Sequence, residues 1–178
     1  DRVKPVPLGL LRDVHEAARL SGDIFELAVA DMAMIALFYL CRPGEYAATT
    51  SLSSRSDPFR LQDVECAVNT GIFRASMVDM AHLSLVHFIS LVFTTQKNGV
   101  LGEKIGHGKS NEPYACPVQA TMRRVQHLRT FSALPDTPLY VTYYKNKWKP
   151  VTSSDISKAL RLMAAQKFTT YCLAPSEI

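Results

Sequence analysis

The chain has 178 residues, of which 47 % are hydrophobic and 20 % charged, a balance typical of one folded domain. Its most hydrophobic window, residues 24–41, contains Glu26 and Asp31, and a membrane-spanning helix tolerates neither charge cheaply. The formal net charge is +4, but residues 1–96 carry 8 Lys and Arg against 11 Asp and Glu, whereas residues 97–178 carry 12 against 5. The composition therefore favours a soluble protein. Its basic second half favours a polyanionic partner, unless the lysines are only solvated surface residues.

Apolar residues at intervals of three and four predict four main helices. They are Leu8 to about Leu20, Ile24 to Leu40 or Cys41, Pro117 to Arg129, and Ser153 to about Gln166. Asp23 is the expected N-cap of the second helix, with Glu26 as its capping partner. This second helix is apolar on nearly all sides, so we expect it to be the central and most buried one. Pro43 and Gly44 are expected to form the turn that terminates it, and residues 76–83 are a weaker helix candidate.

Alternating and β-branched segments predict strands between these helices. The first covers residues 58–68 and ends in a turn at 69–71. A hairpin follows, with strands at 86–95 and 100–105 around an Asn-Gly turn, and residues 106–110 are expected to be a loose connection. A second hairpin is predicted from 138–144 and 148–151 around residues 145–147. The expected fold class is α+β, a mainly helical core with a small antiparallel sheet whose hairpin carries Lys97.

The cysteines and histidines show no metal-binding or disulfide pattern. The four cysteines contain no C-x-x-C pair, and the five histidines form neither H-E-x-x-H nor H-x-x-H. Residues 106–110 resemble a phosphate loop only superficially, because the upstream glycine spacing is missing. We expect a reduced intracellular protein without a metal or other cofactor.

Arg42 is the first candidate functional residue. It follows the most apolar helix and precedes Pro43, Gly44 and Glu45, so its guanidinium is expected at the rim of a buried core. A guanidinium presents a rigid fork of donors that matches two phosphate oxygens. Glu45 would support the turn. The alternative is a purely structural pair between Arg42 and Glu45.

Lys97 is the second candidate, because a lysine at a hairpin tip can reach into a cleft as a general acid. Its alternatives are an ordinary exposed turn lysine, or replacement in this role by Lys104 on the return strand. Basic residues expected to contact DNA phosphates, if they share a face, are Lys104, Lys109, Arg123, Arg124, Lys145 and Lys147, together with Arg129 and Lys149. Tyr143, Tyr144 and Trp148 interleave with the last of these, which suits nucleic acid and equally suits the edge of a small core.

The order of these features resembles the catalytic domain of tyrosine recombinases, the phage-integrase family. The eukaryotic mobile-element branch of the Crypton and DIRS type is most similar. The resemblance is carried by Arg42-Pro43-Gly44-Glu45 after an apolar helix, the strand Leu61-Gln62-Asp63-Val64, the hairpin from Phe93 to Gly99, and Cys116-Pro117-Val118 opening a basic helix.

The resemblance implies a reaction in which a tyrosine attacks a DNA phosphodiester and forms a 3′-phosphotyrosine link. Two arginines would clamp the non-bridging oxygens and a lysine would protonate the departing 5′ oxygen, without metal or nucleotide. Arg42 matches the first arginine, Lys97 the lysine and Glu45 the supporting acid. The resemblance also implies a double-stranded DNA partner, a homo-oligomer on DNA in the full-length parent, and a nuclear location if the source is eukaryotic.

One part of the family pattern is missing. None of the five histidines is followed by an arginine at the third position, so the H-x-x-R box is absent, and the nucleophilic tyrosine lies beyond that box. We expect residues 1–178 to be a partial catalytic domain, lacking the upstream DNA-clamp domain and the C-terminal elements, that cannot cleave DNA alone. The alternatives are a non-catalytic DNA-binding module derived from a mobile element, and a helical interaction domain unrelated to DNA.

Overall fold

A computed structural model describes residues 6–41, 43–48, 57–94, 102–112 and 114–173. The fold class is α+β, as predicted, and the helices are α1 (Leu8–Ser21), α2 (Ile24–Phe38), the short α3 (Pro43–Tyr46), α4 (Pro117–Thr130) and α5 (Ser153–Leu173). The strands are β1 (Val64–Val68), β2 (Gly71–Arg74), β3 (Phe88–Phe93), β4 (Glu103–Gly108), β5 (Val141–Tyr144) and β6 (Lys147–Pro150). Turns of 3-10 helix cover Leu61–Asp63 and Met80–Leu85.

Helix α2 is the central helix, as predicted. Every residue from 28 to 35 is buried, and the helix packs against α1, α4 and α5. Its N-terminus is capped by Asp23, whose carboxylate accepts hydrogen bonds from the N–H groups of Phe25 and Glu26 at 2.7 and 3.0 Å. Glu26 does not close the cap directly: its carboxylate accepts from the Ser21 hydroxyl at 2.6 Å, and that hydroxyl accepts from the Asp23 N–H at 3.2 Å.

The end of α2 differs from the prediction. The helix ends at Phe38 rather than at Leu40 or Cys41, because Leu40 has a φ of 52° and a left-handed residue cannot continue a right-handed helix. Pro43 and Gly44 were expected to form a turn, but they begin α3. Proline at the first helical position lacks only an N–H that would have no partner inside the helix.

The larger sheet is antiparallel, with the strand order β2-β1-β3-β4. The predicted strand at 58–68 is shorter than expected, since residues 61–63 form a 3-10 turn in which the Asp63 carboxylate accepts from the Arg60 N–H at 2.9 Å. The helix expected at 76–83 is the later 3-10 segment, which Asp79 caps through the N–H of Ala81.

Strand β4 begins and ends three residues later in the chain than the predicted strand at 100–105. Its register pairs Phe93 with Glu103 and Phe88 with Gly108, so the expected loop at 106–110 contributes three residues to the strand. In this register Gly106 makes a close cross-strand contact, because a Cβ at that position would lie 2.3 Å from Cζ of Phe88. The Phe88 ring lies directly over the glycine backbone, and only glycine permits that approach. The predicted Asn-Gly turn lies outside the described residues.

The second hairpin, β5 and β6, agrees with the sequence prediction. Lys145 and Asn146 have φ values of 50° and 62° at its turn, as a tight two-residue hairpin loop requires. Helix α5 then begins with a cap in which the Asp155 carboxylate accepts from the Thr152 N–H at 2.9 Å. Within the described ranges, no helix is both long and apolar enough to cross a membrane.

Candidate nucleic-acid interface

Arg42 and Lys97, the two residues predicted to act on a phosphodiester, lie outside the described residues. The described residues Glu45, three positions after Arg42, and Phe93, four positions before Lys97, both contact Phe59. The carbonyl of Glu45, a residue only 4 % exposed, accepts from the Phe59 N–H at 3.0 Å. The Phe59 ring meets the ring of Phe93, the last residue of β3, edge to face at 4.7 Å. Phe59 therefore connects α3, which follows Arg42 in the chain, to β3, which precedes Lys97 in the chain.

Lys104 lies on β4 and is held by an ion pair. Its Nζ donates to both carboxylate oxygens of Glu65 on β1, at 2.8 and 2.9 Å, across the intervening strand β3. The lysine side chain is 54 % exposed, so the pair lies at the surface. Lys109 is exposed just beyond β4, where its N–H donates to the carbonyl of His87 at 2.8 Å.

The arginines of α4 do not share the exposed face that the predicted contacts with DNA phosphates require. Arg124 is 2 % exposed, and its guanidinium donates to the carbonyls of Leu139 at 3.1 Å and Val141 at 2.6 Å. The apolar spacing correctly predicted which face of α4 is buried. The long side chain of Arg124, at the side of that face, extends back into the protein. Arg124 thus lies inside the fold, away from the surface where a DNA phosphate would bind.

Arg123 and Arg129 also bind groups of the protein. The Arg123 guanidinium donates to the buried carboxylate of Asp31 at 2.6 Å, and Nε2 of His15 lies 3.1 Å from the same oxygen. Arg129 donates from one nitrogen to the carbonyls of Ala75 and Val78. The three arginines therefore tie α4 to α2, to the β5 strand and to the segment after β2.

His127 is a structural residue that the sequence analysis missed. Its Nε2 accepts from the N–H of Tyr143 at 2.9 Å and lies 2.9 Å from the Thr142 hydroxyl. Arg124 and His127 are three residues apart on α4, so they meet the same edge of β5 one turn apart. Together they satisfy backbone groups of that edge, which would otherwise have no strand partner. The i, i+3 spacing of these two polar side chains on α4 is the sequence signal that could have indicated their shared role.

The environment of His127 predicts an acid-sensitive contribution to stability. Burial, and then the positive charge of Arg124, lower the pKa of His127 from 6.5 to about 4. Between these values the unfolded chain binds a proton that the folded chain does not, so stability falls as the pH drops from about 6.5 toward 4. We expect His127→Gln to weaken the pH dependence of the free energy of unfolding between pH 7 and pH 5, measured by urea titration.

The reference for that measurement is the wild-type protein under the same conditions. Equal slopes for His127→Gln and the wild type would contradict the assignment.

The β5–β6 hairpin brings together the remaining predicted basic residues. Lys145 and Lys147 are exposed, and Nζ of Lys145 lies 5.1 Å from the ring centroid of Tyr144. Nζ of Lys149 lies 3.3 Å from the ring centroid of Phe25. The Tyr144 hydroxyl donates to Asp23 at 2.8 Å and fixes the hairpin to the start of α2. These lysines share one hairpin, whereas Lys104 and Lys109 belong to the four-stranded sheet.

Comparisons with protein-family models, with curated proteins and with solved structures found no match for this chain. Among the described residues, no three His, Cys, Asp or Glu side chains converge as a metal site would require.

Proposed function

We propose that residues 1–178 are a DNA-binding fragment of the catalytic domain of a site-specific recombinase of the tyrosine type. The observation that carries the proposal is the contact of Phe59 with both the Glu45 carbonyl and the Phe93 ring. It gives α3, which follows Arg42 in the chain, and β3, which precedes Lys97, a common support. A catalytic arginine and a catalytic lysine that act on one phosphodiester need such a support, because small displacements of reacting groups cost large factors in rate.

The proposed roles follow from the chemistry of the residues. Arg42 binds non-bridging oxygens of the phosphodiester and Lys97 protonates the leaving 5′ oxygen. Glu45 is buried in α3, and its proposed role is to support the backbone next to Arg42 in the chain. The ion pair of Lys104 with Glu65 favours Lys97 over Lys104 as the acid, because two of the Lys104 hydrogen bonds already go to a carboxylate.

The DNA-contacting surface that we propose is centred on the β5–β6 hairpin. Lys145 and Lys147 are exposed there, and the sequence has no Asp or Glu between Asp136 and Asp155. The Asp23 carboxylate, which accepts from Tyr144, is a carboxylate at this hairpin, and the exposed lysines outnumber it. A surface with several exposed lysines attracts the phosphates of duplex DNA. Lys109 adds a further positive charge at the end of β4. The arginines of α4 are not part of this surface.

Duplex DNA binding by this chain tests the proposal. We expect binding whose logarithmic affinity falls linearly with the logarithm of salt concentration, because phosphate contacts release counterions. The double variant Lys145→Gln/Lys147→Gln should reduce the magnitude of that slope by about 2 and lower the affinity about tenfold near physiological salt. Fluorescence anisotropy of a labelled duplex over a series of salt concentrations measures both quantities.

The double variant Arg12→Gln/Lys167→Gln is the matched control. It removes the same charge from α1 and α5, where both residues form ion pairs with Asp13. Its slope should equal that of the wild type. Equal losses in the two double variants would indicate a general charge effect and contradict the proposed surface. An absence of salt-dependent binding would favour the interaction domain unrelated to DNA.

The catalytic part of the proposal is tested on the gene that contains this sequence. An open reading frame in which an arginine box and then a tyrosine follow Ile178 should encode a product that forms a covalent adduct with nicked DNA. An open reading frame that lacks both would contradict the enzyme and leave the non-catalytic DNA-binding module.

A further inference from the structure

Strand β2 is an edge strand of the larger sheet, and its outer side has no strand partner among the described residues. The Ala75 N–H donates to the Val64 carbonyl at 2.8 Å, and Phe73 pairs with Cys66 two positions earlier along the strand. Bonded and non-bonded pairs alternate in an antiparallel ladder, so the N–H and C=O groups of Ile72 point away from β1. The edge therefore presents backbone groups to which a further strand can bind.

The side chains at this edge are apolar and exposed. Ile72 is 70 % exposed, and Phe73, on the opposite face of the strand, is 43 % exposed. Met77 and Leu85, which are 78 % and 56 % exposed, line a cavity of about 380 Å³ together with Phe73. Strand β2 contains no proline, and Arg74 at its end is its only charged residue. It therefore lacks the devices that commonly keep an edge strand from pairing.

A second copy of this chain matches the edge, because β2 is self-complementary about a twofold axis. If Ile72 pairs with Ile72 of the second copy, their outward N–H and C=O groups bond to each other reciprocally. The same register places Gly71 opposite Phe73 of the second copy, on the face of the cavity. Because glycine has no side chain, the phenyl ring has room there.

The charges along the two strands are compatible with this register. Arg74 lies opposite the uncharged turn at residues 69–70 of the second copy, and the two Arg74 residues are at opposite ends of the pairing. Each Arg74 is also directly paired with Glu65 of its own β1. No like charges therefore lie opposite each other across the paired strands, an arrangement that would be destabilising.

The apolar area of the edge indicates a weak dimer. The four apolar side chains of the β2 edge expose roughly 250 Å² in one copy, if each fully exposed side chain of this size contributes about 100 Å². Two copies would bury about 500 Å² of apolar surface, whereas a standard stable interface buries about 1,600 Å² in total. Interfaces of standard size have a Kd of about 1 μM or tighter, so we expect a Kd weaker than that.

We propose that this chain forms a reversible homodimer in which β2 pairs antiparallel with β2 of a second copy, centred on Ile72. The two four-stranded sheets then form one continuous antiparallel sheet. Phe73 of each copy packs beside the cavity of the other. The inference goes beyond the proposed function and is independent of it, because the pairing needs no DNA.

Sedimentation equilibrium of the wild-type chain without DNA tests the dimer. Over a concentration series through the micromolar range, the weight-average mass should rise from 19.8 kDa toward twice that value and no further. A closed twofold pair has no remaining β2 edge, so larger assemblies are not expected.

Hydrogen exchange followed by NMR identifies the surface. The Ile72 amide should exchange several-fold more slowly in concentrated than in dilute protein, because its N–H gains an acceptor in the dimer. The Phe73 amide, which faces β1 in the ladder, is the internal reference, and its exchange should change little.

A charged variant tests the centre of the pairing. Ile72→Lys should weaken dimerisation at least about tenfold, because two lysines would then lie opposite each other. Leu20→Lys is the matched control: Leu20 is 82 % exposed at the end of α1, and its dimerisation should equal that of the wild type. Should Ile72→Lys fail to fold, the mass and exchange measurements on the wild type still decide the matter.

Any of four results would overturn the inference. They are a monomeric mass at every concentration, a mass that rises beyond twice the monomer, unchanged exchange at Ile72 in the dimer, and equal weakening by Ile72→Lys and Leu20→Lys. None of these results bears on duplex DNA binding, so the proposed function stands or fails separately.

Discussion

Arg123→Met is expected to lower the free energy of unfolding by about 3 kcal/mol, because it leaves a buried carboxylate without its cation. Asp31 is 1 % exposed and accepts from Nε of Arg123 at 3.0 Å and from Nη2 at 2.6 Å. Removing either partner alone leaves the other one charged and buried, with no interaction to offset the cost of its desolvation. Urea unfolding followed by circular dichroism measures the difference.

A double-mutant cycle separates the pair from its surroundings. The variant Asp31→Asn/Arg123→Met should be more stable than the sum of the two single losses predicts, because it removes both charges together. Arg12→Met, a change of an arginine that is half exposed, should alter the stability by less than about 0.5 kcal/mol. An equally small effect of Arg123→Met would show that the buried carboxylate is not compensated by this arginine.

Arg124→Met is expected to destabilise the protein by about 2–3 kcal/mol and to loosen the β5–β6 hairpin in particular. Methionine fills the apolar part of the site but leaves the carbonyls of Leu139 and Val141 without their donor. Burial lowers the pKa of Arg124 to about 10, while the charge of Asp31 opposes this, so the arginine stays charged at neutral pH. The free energy of unfolding measures the global effect.

Hydrogen exchange of the hairpin amides measures the local effect of Arg124→Met. We expect faster exchange at Tyr143, whose N–H donates to His127, one turn along α4 from Arg124. Arg124→Lys retains the charge and one donor and should lie between the wild type and Arg124→Met. Unchanged exchange in Arg124→Met would mean that α4 does not hold this edge. Because the hairpin carries the proposed DNA-contacting surface, Arg124→Met should also weaken DNA binding although Arg124 itself does not contact DNA.

Local patterns in the sequence predicted most elements. The helices α1, α2 and α4 and the hairpin at Lys145 and Asn146 follow from apolar spacing, capping residues and turn chemistry, which act between residues close in the chain. Several element boundaries differ from the prediction, and two of them show conformational features that composition does not reveal. Leu40 adopts a left-handed conformation at the end of α2, and Gly106 lies within β4, where the Phe88 ring approaches it too closely for a side chain.

The candidate site was predicted less completely. The sequence identified Arg42, Lys97 and Glu45 as a set, and these three roles stay predictions. It assigned the α4 arginines to DNA because a helical pattern shows which face is apolar but not where a long guanidinium side chain finds its acceptors. Those acceptors are the carboxylate of Asp31 and main-chain carbonyls that are distant in sequence.

The sequence by itself determined the α+β class, the buried central helix and a basic second half, because hydrophobic periodicity and charge are properties of neighbouring residues. Only the tertiary structure decided which basic residues remain on the surface. Arg123 and Arg124 are drawn inward by acceptors from α2 and β5, whereas Lys145 and Lys147 remain exposed on a tight turn. Long polar side chains bind whichever partner the fold brings within reach, and that partner is set by contacts between distant segments.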